Sequence, residues 1–340
     1  MVLGHLRVEE VPGRNRNFRV RVTPGAGLFL KQAPPEEPDA NRLAVEAQLY
    51  RIAASRPPSF PAGSAMPVLV RWNPSQAILI TELLENRPES PPGADEPWSS
   101  IPRGLGPALA AALRATHQVL PRPPGNPNLL LAERAPWVLE IGRPAPSHLA
   151  SLTGAHLELL QVIQRDPAVQ RHLDQLAASW APVSLIHGDI KWANVLTPPG
   201  GGAELRLVDW ETAQWGDPLW DLAGAMHSYL ADILVDIGIA SDRGRNEAAT
   251  AFAGALPVIQ GEIKSLWATY WSDATPDQAT IERVVQLTAA RLLQSGYEWC
   301  QGEDQIPRHA VAASQLSFNL LNRPAEGAAT VLGLAPGATR

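Results

Sequence analysis

The chain has 340 residues, of which 45% are hydrophobic and 18% charged, and its net charge of −6 gives a pI near 5.8. That balance fits a globular protein of two domains or lobes and argues against disorder over most of the length. It offers no basic surface, so nucleic acid is not an expected partner. The one cysteine, Cys300, excludes an intrachain disulfide and a C-x-x-C metal site. It follows Trp299 in an apolar helical pattern and reads as a small, half-buried packing residue. Neither a signal peptide nor a membrane-spanning run is visible, so the expected location is cytoplasmic.

In chain order, residues 5–31 hold short strand-like runs. Phe18-Arg-Val-Arg-Val22 alternates apolar and polar side chains, a turn follows at Thr23 to Gly27, and Leu28 to Gln32 completes a hairpin. Asn41 to Ala54 reads as a helix, with Leu43, Ala47 and Tyr50 on one face, Glu46 beside them, and Pro57-Pro58 as its stop. Val68 to Trp72 and Ala77 to Thr81 form a second strand pair joined around Asn73-Pro74. Residues 85–97 are polar and proline-rich and read as a connector. Helical patterns follow at 104–119, 147–163 and 166–180. Two short apolar runs, 183–187 and 204–209, read as strands, and helices return at 218–237, 246–271, 276–299 and 307–321. This is an α+β chain: a small antiparallel β-sheet lobe with one helix, then a larger, mainly helical lobe.

Two segments carry chemistry: His187-Gly-Asp-Ile-Lys-Trp-Ala-Asn194 and Val208-Asp-Trp-Glu211. Phosphoryl transfer needs metal ions on the phosphates, ligands for those ions and a group that orients the attacking hydroxyl. Asp189 can accept the hydroxyl proton. Asn194, five residues on, has a neutral amide oxygen suited to Mg2+, and Asp209 adds a carboxylate at the end of the next strand. Taken singly, each would be a turn or cap residue; the spacing is what joins them.

H-G-D-x-x-x-x-N followed by V-D-W-E resembles the aminoglycoside phosphotransferase and choline kinase family, relatives of protein kinases. Gly216-Asp-Pro-Leu-Trp-Asp-Leu-Ala223 is similar to the same family's G-D-P-x-x-D-L-A segment, and Leu109 to His117 to its L-x-x-L-H helix. The resemblance implies a bilobal protein-kinase-like fold with a nucleotide-binding lobe at 1–84, a hinge at 85–97 and a catalytic and acceptor-binding lobe at 98–340. It implies ATP as phosphoryl donor, with GTP as the alternative, and Mg2+ as the metal. Lys31 looks like the lysine that meets the ATP phosphates and Glu46 like the carboxylate that aims it. Residues 78–84 look like the strand entering the hinge, with backbone near Glu82 to Leu84 meeting adenine. Asp189 and Lys191 take the catalytic positions, Asn194 and Asp209 the metal positions.

The chain also departs from the pattern. Gly13-Arg-Asn-Arg-Asn-Phe18 has one glycine where a kinase phosphate loop has three, although Asn17 matches the family's G-x-x-N. Lys191 stands where many relatives have His, and resembles the D-x-K of serine/threonine kinases; Trp192 replaces a common Pro. His187 reads as a packing residue, Asp217 as a helix cap, Asp221 as a brace, and the tryptophans around the site as core. Residues 218–340 carry 13 Asp and Glu against 8 Lys and Arg. That excess suits a cationic acceptor but reads first as a solvated face. The expected acceptor is a hydroxyl of a small polar molecule: an aminoglycoside, sugar or amino alcohol. A Ser or Thr of a peptide in a natural-product pathway is the alternative, with a partner protein if the chain works in a biosynthetic complex. A non-catalytic nucleotide-binding scaffold is the alternative outside enzymes.

Overall fold

The computed structural model describes residues 6–23, 26–34, 38–55, 65–84, 102–119, 131–144, 152–197, 205–239 and 245–335. The expected connector at 85–97 lies outside the described residues. The chain divides into two compact units, one of residues 1–89, 112–133 and 183–215, the other of residues 90–111, 134–182 and 216–340.

The first unit is built on an antiparallel sheet of five strands in the order β1-β2-β3-β5-β4. The strands are β1 (Arg7–Val11), β2 (Arg16–Thr23), β3 (Ala26–Gln32), β4 (Leu69–Asn73) and β5 (Ile78–Glu82). The sequence pattern did not isolate β1, which is largely exposed and charged. Elsewhere in the sheet the expected runs become strands. Register sets what shares a face. Asn17 faces Lys31 across β2 and β3, and Lys31 faces Leu79 across β3 and β5. A bulge between Leu69 and Arg71 throws Val70 outward, where it is exposed. Helix α1 (Pro38–Ala54) buries Leu43, Glu46, Ala47, Leu49 and Tyr50. The spacing of Leu43, Ala47 and Tyr50 is that of one helical stripe, and Glu46 lies inside it.

The segment 183–215 belongs to this unit. It contains β6 (Ser184–Ile186), a 3-10 turn at Trp192–Asn194, the antiparallel pair β7 (Val195–Leu196) and β8 (Arg206–Leu207), a 3-10 turn at Trp210–Thr212, and all but the last residue of β9 (Gln214–Gly216), which pairs with β6. The second expected strand is shorter than the run 204–209 because Asp209 leaves the extended region for a left-handed backbone, φ 68° and ψ 54°. The Leu207 amide donates to the Ala65 carbonyl at 2.6 Å, which fastens β8 to the chain just before β4.

Helix α2 (Gly106–Val119) contributes residues to both units. The second unit is otherwise helical: α3 (Gly154–Gln164), α4 (Pro167–Ala178), α5 (Leu219–Ile239), α6 (Arg245–Tyr270), α7 (Gln278–Glu298), α8 (Arg308–Asn322) and the single turn α9 (Pro324–Gly327). α3 starts at Gly154, where the Thr153 side chain caps it; residues 147–151 of the expected run lie outside the described residues. Asp166 caps α4, accepting from the amides of Ala168 and Val169, with Pro167 at the first helical position. α5, α7 and α8 form the core. α5 buries nearly every residue from Leu219 to Leu234, and Ser317 of α8 donates to the Ala289 carbonyl of α7 at 2.7 Å. Each buried Leu, Ile or Val there contributes about 1.5–3 kcal/mol of transfer free energy. Among the described residues no helix is long and apolar enough to cross a membrane.

Candidate active site

The site grows from the tight loop after β6. Leu185 and Ile186 are fully buried, which fixes the strand, and Gly188 then turns the chain at φ 84°. A β-carbon at Gly188 would meet the Thr212 carbonyl oxygen at 2.6 Å, so glycine is needed both for the angle and for the approach. His187 is completely buried, with Nε2 at 2.9 Å from the Val208 carbonyl and Nδ1 accepting from the Asp189 amide at 3.3 Å. In these bonds Nδ1 is the acceptor and Nε2 the donor. The ring also packs on Trp210, centroids 4.7 Å apart. His187 is thus a structural post for the loop.

Beyond His187 the loop presents Asp189, half-buried, whose Oδ2 accepts from Lys191 Nζ at 2.7 Å. Asn194 is buried and gives Nδ2 to the Asp189 carbonyl at 2.8 Å, with a longer contact of 3.4 Å to its carboxylate. Those bonds use the amide nitrogen and leave Oδ1, the atom a metal takes, as the remaining acceptor. The Asn194 carbonyl accepts from the Val208 amide at 3.0 Å, which sets Asn194 beside the turn that carries Asp209.

Asp209 and Lys31 form a direct ion pair. Lys31 Nζ also donates to both oxygens of Glu46, at 3.1 and 2.9 Å. Glu46 is only 1% exposed and accepts twice more at Oε1, from Tyr50 Oη at 2.6 Å and from the Trp210 amide at 3.3 Å. It therefore joins β3, α1 and the Asp209 turn. Burial alone would lower the Lys31 pKa, but the Glu46 and Asp209 carboxylates outweigh it and the ammonium is held above its ordinary value. Burial, and then Glu46, push the Tyr50 phenol well above its usual range.

Glu211, the last residue of the V-D-W-E segment, joins this cluster. It offers a carboxylate oxygen within 4.8 Å of those of Glu46 and Asp209, so the three form a donor set of hard oxygens. Its Oε2 accepts from Asn15 Nδ2 at 2.8 Å and its Oε1 lies 3.4 Å from Arg14. Burial, then the charge of Asp209, push its carboxyl above the ordinary range. Asn15 drew no notice as a loop asparagine 196 residues away, and nothing local marks that pairing.

The remaining expected residues are placed as follows. Asn17 shares a rung and a face with Lys31. Glu82 spends its backbone amide on the Val68 carbonyl at 3.0 Å and its carboxylate on the Val68 amide at 2.9 Å. The Leu83 amide goes to the Gly27 carbonyl at 2.9 Å, and Leu84 is half-buried at the end of the described stretch. In the second unit, Asp217 caps α5 through the Leu219 amide and binds Arg283 by two bonds, while Asp221 is fully buried on the first turn. Trp210, Trp215 and Trp220 are core residues.

Sequence comparison matches residues 8–258 to the family described as the phosphotransferase enzyme family. No curated protein matches the chain. Similar solved structures include the ethanolamine kinase of Plasmodium vivax, 12% identical, TM-score 0.53, over 94% of this chain and 83% of that one. A macrolide 2'-phosphotransferase type I is 17% identical, TM-score 0.51, over 92% of this chain and 90% of that one. At such identities these likenesses establish a shared α+β fold and nothing finer. The family match spans most of the chain and includes the sheet, α1 and both motif segments. The chain therefore belongs to the phosphotransferase enzyme family and is an enzyme that delivers a phosphoryl group to an alcohol oxygen.

Proposed function

We propose that the chain transfers the terminal phosphoryl group of ATP, with Mg2+, to a hydroxyl of a small polar molecule such as an amino alcohol, sugar or aminoglycoside. The observation that carries this reading is the Lys31 ammonium held between Glu46 and Asp209, in the same unit as the loop that joins Asp189 to Asn194. A buried lysine aimed by a carboxylate is a point charge for phosphate, and hard oxygen donors beside it suit Mg2+.

The donor chemistry fits the metal: the Asn194 amide oxygen and the Asp209 carboxylate would hold it, and it would supply neutralisation of the phosphate charge. This chain's own residues do the rest. Lys31 meets the nucleotide phosphates, with Asn17 beside it on the sheet. The amides of Glu82 and Leu83 are already engaged, so an amide contact with the base falls to Leu84. Asp189 accepts the hydrogen bond of the acceptor hydroxyl and orients its oxygen for attack. Lys191 is 44% exposed, enough to turn from Asp189 toward the transferring group.

The relatives' named substrates, ethanolamine and macrolides, support a small-molecule acceptor. The test is a mass-gain screen with ATP and Mg2+ against amino alcohols, sugars, aminoglycosides and Ser- or Thr-containing peptides. A phosphate gain of a small molecule is expected, and Asp189→Ala and Asp189→Asn should abolish it while ATP still binds. Phosphorylation of peptides alone would move the acceptor to the second class. ATP binding without transfer to any acceptor would favour a non-catalytic scaffold.

A further inference from the structure

The geometry points to Glu211 as a positioning residue that fastens the turn between β1 and β2, residues 12–15, beside the phosphate-binding groups. The inference rests on reading Lys31 and Asp209 as the nucleotide site. The turn leads into the rung Val11, Asn17 and Lys31, so its shape decides what stands next to that lysine. A turn that cradles phosphate by backbone amides is normally rich in glycine. Here Gly13 is the one glycine, and a β-carbon there would lie 2.3 Å from Asn17 Nδ2, so the Asn17 side chain would have to move off its rung beside Lys31.

The rest of the turn is held by side chains. Asn15 is 7% exposed and donates to one oxygen of Glu211, and Arg14 reaches the other. The Glu211 side chain is itself 10% exposed. The other polar atom of Asn15, Oδ1, is buried with no partner among the described residues. A loose turn would relieve that by swinging Asn15 into water. It stays inside, so the bond to Glu211 is what holds it. Glu211 stands two residues after Asp209 on one 3-10 turn, and the loop and the metal-binding carboxylate are thereby fixed to a common frame. Side-chain ties replace the glycines that the turn lacks.

The test compares Asn15→Ala, Glu211→Ala and Glu211→Gln in the full chain. Gln keeps an acceptor for Asn15 and loses the charge. Asn15→Ala and Glu211→Ala should each raise KM for ATP by about ten- to hundredfold, the worth of a hydrogen bond to a charged group, with a smaller change in kcat. Glu211→Gln should restore most of the loss, and the double Ala variant should be no worse than either single one. Hydrogen exchange of residues 12–17 without nucleotide should quicken in both Ala variants. If Glu211→Gln is as damaged as Glu211→Ala, with a shifted Mg2+ requirement and unchanged exchange at 12–17, Glu211 is a metal ligand and the inference is wrong. A wild-type chain that neither binds nor uses ATP would overturn the nucleotide reading instead, and the exchange rates would still decide the tie.

Discussion

Lys31 and Asp209 stand 178 residues apart in the chain and form a direct ion pair inside one compact unit. Glu46 shares the same ammonium and is almost wholly buried, so Lys31 is a structural charge as well as a proposed ligand for phosphate. Lys31→Met would leave Glu46 with two neutral donors and no cation. Removing one partner of a buried pair costs about 3–5 kcal/mol. The variant should therefore lose turnover and also unfold at markedly lower urea. Adding Glu46→Gln should recover much of the stability, since Gln still accepts from Tyr50 and the Trp210 amide, and none of the activity. Equal urea midpoints for wild type and Lys31→Met would mean that the pair contributes nothing to folding.

Gly188 permits a separate test of the loop. Its φ of 84° and the 2.6 Å approach of the Thr212 carbonyl leave no room for a β-carbon. The obstructing atom is backbone, itself held because Thr212 Oγ1 donates to the His187 carbonyl at 3.0 Å. Gly188→Ala should cost about 2–4 kcal/mol through strain and displacement, and should move Asp189. The expected reading is a lower thermal midpoint with kcat reduced far more than the KM for ATP. A variant with wild-type midpoint and kcat would show that the loop can shift without loss.

The parts of this site that were legible in the sequence are those set by short spacing. Asp189 and Asn194 lie on one loop and are hydrogen-bonded, and the Val208 amide binds the Asn194 carbonyl beside the Asp209 turn, so this neighbourhood is local geometry. Glu46 was legible only through the family resemblance, since a glutamate beside the stripe of Leu43, Ala47 and Tyr50 carries no sign of its own that it will be buried. Asn15 and Glu211 were not legible as a pair: the bond between two common residues depends on how the β1–β2 turn leans toward the Asp209 turn, and no periodicity encodes that. The left-handed backbone of Asp209 was hidden for the same reason, since its stretch reads as plain strand. The hydrogen bonding of Glu82 depends on Val68, whose position follows from the β4 bulge.

Cys300 offers a check on packing in the helical unit. It is fully buried, beyond the half-burial its sequence context suggested, and its thiol contacts the Gly296 carbonyl at 3.2 Å. Burial, with the charges of Glu158 and Glu303, pushes the thiol up to about 11. The thiolate is the reactive form, so at pH 8 the native protein should be inert to a thiol reagent such as DTNB. One equivalent should react once urea unfolds the chain. Prompt reaction in the native state would mean that the end of α7 opens readily.

His156 makes stability depend on pH through a capping box. Its Nδ1 accepts from the Thr153 amide at 3.2 Å, and Nε2 lies 3.0 Å from the Tyr297 carbonyl. The first bond needs a lone pair on Nδ1, so the folded ring is neutral with its proton on Nε2. Burial lowers its pKa, with the Tyr297 carbonyl opposing, and burial also lowers that of His309 against the charge of Glu303. Both histidines bind protons less readily folded than unfolded. Their contribution is full above the unfolded value of about 6.5 and is lost as pH falls from there through the folded values. Urea midpoints measured from pH 7.5 down to 5 should therefore decline. His156→Gln keeps a side chain able to serve the Thr153 amide without titrating. Its decline should be shallower than that of wild type, with the remainder due to His309 and other groups. An unchanged slope would mean that the box survives protonation, with the protonated Nδ1 donating to Thr153 Oγ1, 2.9 Å away.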